Sequence, residues 1–166
     1  MSQKILSSLF AQKSWANREL FDVVSMVTSA NADSLHAAIR TLNHIYVVDR
    51  IFRAHLLGEM HPYTATNTVG TPKLSELLFA VTETDNWFET YVAKAADQEL
   101  IERLSFQFTD GDSGHMTREE MLFHVLTHGA YHRGNVGQVL KGISVVPPRD
   151  LYTKFLHVQD PSRRQV

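Results

Sequence analysis

Nine histidines stand in a chain of 166 residues, and three of them, His124, His128 and His132, fall four residues apart. Residues four apart on a helix lie on one face, one turn above the other. Two imidazoles so placed can close on a single metal ion. Three cannot all do so, because eight residues rise about 12 Å. One adjacent pair therefore chelates at most, and the third histidine packs, supports the site or faces solvent. Gly129 and Gly134 flank the pair. Each costs roughly 1 kcal/mol relative to Ala inside a helix, which points to close approach of a neighbouring helix or a ligand. His132 also lies on the segment's apolar stripe, where an unpaired imidazole needs a partner.

A metal site needs a third protein ligand from another segment. His44 is the best candidate, since it sits mid-way along a second helical stretch and so near mid-height whichever way that helix runs. His55 is about three turns further on and reaches a different level, and His36 is nearer the helix start. His61, His115 and His157 fall in expected loops or near the C-terminus and are read as exposed. Asp49 interrupts an apolar seam; it is read either as an acceptor behind a ligating imidazole or as an ion pair with Arg53 four residues on. Arg133 is read as reaching an anionic substrate or as pairing at the surface.

Three neutral imidazoles would leave an ion its full charge and an open position, able to acidify a bound water or thiol or to polarise a carbonyl. A zincin mechanism is not encoded, because Val125 follows His124 and Gly129 follows His128 where that mechanism requires Glu. A di-iron carboxylate site needs several inward Glu and Glu-x-x-His pairs, which this chain does not show.

Four helical segments must position these groups. The first spans about 5–27, with Ile5, Leu9, Ala16, Leu20, Val23 and Val27 on one stripe. The second spans about 34–57 and ends at Gly58, which tolerates the left-handed conformation past a helix. The third opens at Thr71-Pro72, as cap and first-turn residue, and runs to about Ala95. The fourth opens on the capping box Thr117-Arg118-Glu119-Glu120 and continues to Gly142. Four amphipathic helices predict an all-α four-helix bundle over residues 1–166. The connection 58–70 is long enough to cross the bundle. Residues 106–114, with Asp110-Gly111, read as a hairpin-like excursion. A short closing helix is expected over 150–157, then a frayed tail over 160–166. Phe10, Phe21, Phe79, Trp87 and Phe88 are read as core aromatics, and the charges along the helices as a solvated face.

Composition narrows the function classes. The net charge is -2, without the basic excess that phosphate contacts require, so a nucleic-acid partner is not expected. There is no cysteine, which removes disulfides, thiolate metal sites and a catalytic Cys. No apolar stretch reaches membrane-spanning length and the first residues lack a signal-peptide pattern, so no membrane partner and a cytoplasmic location are expected.

The chain resembles the DinB-like family of metal-binding four-helix bundles. The matching residues are Trp15-Ala16-Asn17, Leu42-Asn43-His44-Ile45, Asp110-Gly111, and His124-Val125 with His128 and His132-Arg133-Gly134. The resemblance implies an up-down-down-up bundle whose long crossover joins helices 2 and 3. It places the metal triad on His44, His128 and His132 and leaves His124 as a packing or supporting residue. It further implies a divalent ion, nickel or zinc above all, and a homodimer. Characterised relatives include transferases and isomerases that use a low-molecular-weight thiol, so a metal-dependent thiol transferase is the leading expectation. A metal-dependent hydrolase and a non-catalytic, stress-associated metal-binding protein are the alternatives.

Overall fold

Apolar residues repeating at threes and fours do what that period predicts: they make long helices that bury one stripe each. The computed structural model describes residues 3–164. Four long helices, α1 (Gln3–Ser25), α2 (Ala32–Leu57), α3 (Leu74–Lys94) and α5 (Arg118–Gly142), carry the chain. Between α3 and α5 lie a single helical turn, α4 (Asp97–Leu100), and an antiparallel hairpin, β1 (Arg103–Gln107) with β2 (Ser113–Thr117). A closing helix, α6 (Tyr152–Gln159), packs on α1. Among the described residues no helix is long and apolar enough to cross a membrane.

The local signals at several ends act as expected. Gly58 ends α2 at φ 68°, with its N–H on the carbonyls of Ala54 and His55. Thr117 caps α5 by accepting from the Glu120 N–H, while Glu120 returns a bond to the Thr117 N–H. Gly111 supplies the positive φ of the hairpin turn. Other ends depart from expectation. The third helix begins at Leu74, and Thr71 does not cap it; its hydroxyl faces the His36 Nε2 at 2.9 Å. The hairpin is longer than 106–114 because Leu104, Phe106 and Met116 lay apolar side chains on the helices. In the expected frayed tail, Pro161–Arg163 forms a 3-10 turn capped by Asp160; residues 165–166 lie outside the described residues.

α1 packs against α3 and α5, and α2 against α5 and α3. The buried stripes form two apolar clusters. One gathers Phe10, Phe52, Phe88, Met121, Leu122 and Val125. The other gathers Leu20, Phe21, Leu42, Ile45, Val81, Val136 and Leu140. Between them the same stripes carry polar residues: Lys13 and Asn17 on α1, Asp49 on α2, Asp85 on α3 and Arg133 on α5, all buried. These charges therefore do not lie on the solvated face expected from the sequence. Phe79, expected in the core, is instead 67% exposed, because it falls off the α3 stripe.

Candidate metal centre

α2 and α5 share the seam that carries the histidines. His128 and His132, one turn apart on α5, face His44 of α2. One ligand atom from each lies within 4.8 Å of the others, and all three side chains are half-buried. The His44 and His128 Nε2 atoms stand 3.0 Å apart. The ring centroids of the three imidazoles are 4.4–4.8 Å apart. Two nitrogens sharing one tetrahedral ion at zinc–nitrogen distances stand roughly 3.4 Å apart, so the donors fit around a single ion. An all-imidazole set suits zinc, nickel, copper or iron rather than calcium or magnesium.

Hydrogen bonding fixes which nitrogen faces inward. His44 Nδ1 lies 2.7 Å from the Thr66 carbonyl oxygen, which only accepts, so Nδ1 carries the proton and Nε2 presents its lone pair. The contact between the two Nε2 atoms is then a bond donated by His128. That leaves the His128 Nδ1 as a bare acceptor, and it is buried without a partner. An ion in place of the shared proton would move the His128 hydrogen to Nδ1. Burial, followed by the neighbouring His132 and His44, pushes the His128 pKa down to about 3. Burial and His44 also lower His132. His128 and His132 are thus held toward the neutral form that a metal requires.

The chain that presents the Thr66 carbonyl is held beside the site by its own polar residues. Asn43, next to His44 and buried, donates to Asn67 Oδ1 and to Thr68 Oγ1, the latter at 2.7 Å. Arg40 donates to the Thr68 carbonyl at 2.6 Å, and Asn67 to the Arg40 carbonyl at 3.0 Å. Thr66, Asn43 and Asn67 are site-supporting residues that the sequence reading missed; the one signal was an amide directly before the candidate ligand. His132 has a looser support, with Asn135 Nδ2 3.5 Å from its Nδ1.

The remaining sequence candidates go elsewhere. His124 stacks on Phe52 at 4.5 Å between centroids and borders His128 at 5.4 Å, a packing position. His55 packs on Phe106, and burial with the neighbouring His61 lowers its pKa to about 4. His61 is partly buried, not exposed, and its Nδ1 has no partner. His157 on α6 is also partly buried. Asp49 neither supports an imidazole nor pairs with Arg53. It lies 2.7 Å from the Lys13 Nζ, while Arg53 stacks over Trp87. Burial raises the Asp49 carboxyl to about 6 against the pull of Lys13. Arg133 does not reach the surface: its Nε donates to Asp150 Oδ2 at 2.7 Å and an Nη contacts Asn17 Oδ1 at 3.4 Å. A long side chain starting on the seam has reached the core and the C-terminal segment, which helical period alone does not reveal.

The motif residues outside the triad thereby acquire roles. Trp15 packs on Phe155 with Lys154 over its ring, docking α6. Asn17 bridges Asp85 and Arg133. No curated protein and no solved structure matches the chain. A family profile does match, over residues 1–165, essentially the whole described fold, and the chain therefore belongs to the DinB family.

Proposed function

We propose that this protein binds one divalent ion, nickel or zinc, on His44, His128 and His132, and is a metal-dependent transferase acting on a low-molecular-weight thiol. The observation that carries this reading is the convergence of three imidazoles from two helices, with no carboxylate in the set. A divalent ion held by three neutral ligands keeps its double charge and an open position, and so supplies acidification of a thiol. The chain's residues do the rest. Thr66 locks the His44 tautomer, and the three histidine side chains are half-buried rather than sealed from solvent. The thiol gives its proton to solvent, its sulfur forms a bond to carbon of an electrophile, and the leaving group departs with its electron pair. Hydrolysis is the less favoured reaction, because Asp49, a carboxylate five residues beyond His44, is buried against Lys13 rather than placed to act as a base.

The contacts between helices support an up-down-down-up bundle over a single domain. Lys13 and Asn17 meet Asp85, and Gln3 meets Ala93, so α1 and α3 run oppositely. His44 meets His128 and Arg118 meets Leu56, so α2 and α5 do too. The segment after Gly58 is then the crossover. We further propose a cytoplasmic homodimer, on the family resemblance.

Metal content by mass spectrometry on tag-free protein tests the reading. Near-stoichiometric nickel or zinc is expected in wild type and in His124→Ala, and its loss in His44→Ala and His128→Ala. Thiol transfer to an electrophile should follow the same pattern. A wild type that takes up neither ion after incubation would overturn the reading; metal bound without any thiol transfer would leave only the binding role.

A further inference from the structure

The residues buried between the two apolar clusters sit at the height of the histidine triad, and their arrangement is specific. Lys13 Nζ lies 2.7 Å from Asp49 Oδ2 and 2.5 Å from Asp85 Oδ1. Asn17 Nδ2 donates to Asp85 Oδ2 at 2.8 Å. One ammonium therefore ties α1 to α2 and to α3. The fourth helix is engaged through a glycine. A Cβ on Gly129 would stand 3.1 Å from an Arg133 Nη, 3.7 Å from the Lys13 Cε and 3.9 Å from the Ile45 Cγ2. Gly129 directly follows His128, and Ile45 directly follows His44. The Lys13 stem thus passes α5 at Gly129, directly beside the triad, where a side chain of α2 also lies.

We infer that Lys13, clamped by Asp49 and Asp85 and seated on Gly129, is a positioning residue that sets the separation of His44 from His128 and His132. The inference rests on the metal-binding reading above and deepens it. The geometry argues for position rather than bulk stability alone. An apolar layer would have continued the stripes on either side, and removing a supporting partner of a metal ligand set typically costs 10–100-fold in metal affinity. Arg133, which reaches across the same glycine to Asn17 and Asp150, holds the layer's other end.

The test is zinc affinity by competition with a chromophoric chelator, together with the absorption spectrum of the cobalt-loaded protein. Lys13→Met and Asp85→Asn should each weaken zinc about 10–100-fold and change the cobalt spectrum. Leu140→Ala removes a buried side chain two turns beyond His132. It should lower the melting temperature comparably while keeping zinc affinity within about twofold of wild type. Affinity and cobalt spectrum unchanged in Lys13→Met and Asp85→Asn would overturn the inference, as would an equal loss in Leu140→Ala. Should Lys13→Met fail to fold by circular dichroism, Asp85→Asn, which keeps the side-chain size, decides the matter. A wild type that binds no zinc would instead overturn the metal-binding reading itself.

Discussion

Lys13 is the most informative single residue to perturb for stability. Its side chain is 1% exposed, and the two carboxylates that clamp it are 3% and 4% exposed. Burial alone would lower the Lys13 pKa, but Asp49 and Asp85 raise it above its ordinary value, so the ammonium is charged in the folded protein. Removing one member of a buried ion cluster leaves uncompensated charge and costs about 3–5 kcal/mol. For a protein of this size that is a fall of about 6–20 °C in melting temperature. Lys13→Met should therefore melt lower by that amount at pH 7, measured by circular dichroism with urea titrations alongside. The loss has a pH signature. Without the ammonium, Asp49 loses the charge that opposes the effect of its burial, and its folded pKa rises further above its unfolded value near 4. Between those values the folded state holds more protons than the unfolded chain, so stability is present at low pH and is lost as pH rises. The variant should recover part of its stability on acidification from pH 7 to 5. The triple variant Lys13→Met, Asp49→Leu, Asp85→Leu should regain most of it at neutral pH, since replacing a whole buried cluster by apolar groups is often neutral or stabilising. A Lys13→Met protein within about 1 kcal/mol of wild type at pH 7, or one whose deficit is independent of pH, would refute the reasoning.

Three further outcomes follow from the same geometry. Zinc at 100 times its Kd should stabilise wild type by about 2.7 kcal/mol, a rise of about 5–11 °C in melting temperature, and this rise should vanish in His132→Ala. His55 titrates near 4 when folded, held down by burial and His61, and near 6.5 when unfolded. In that window the unfolded chain binds the extra proton, so stability falls as pH falls from 6.5 to 4; His55→Phe should flatten the slope in pH-dependent urea melts. Thr117→Ala removes the acceptor for the Glu120 N–H at the start of α5 and should cost about 0.5–2 kcal/mol by thermal melting, with metal content unchanged.

What could be read in advance was local. The Thr117 and Glu120 cap, the stop at Gly58, the end at Gly142 and the four-residue step from His128 to His132 depend on hydrogen bonds or helical period within a few residues. Adjacent side chains decide them wherever the helix is later packed. The family motifs added His44, a residue from a distant segment that spacing alone offered only as the best candidate.

The tertiary structure decided which charges go inside. Lys13, Asp49 and Asp85 each sit on a stripe that looks interrupted when its helix is considered alone, and each becomes buried only because the other two arrive from separate helices. The sequence offers Asp49 an imidazole or Arg53 as partner, and Arg133 an anionic substrate or a surface pair, because no local rule names a partner far along the chain. The same holds for the Thr66 carbonyl, which a connection lacking regular structure delivers to His44. A long charged side chain has one pattern in sequence and two destinations in space. Desolvation excludes the interior unless opposite charge waits there, and only the packed helices settle whether it does.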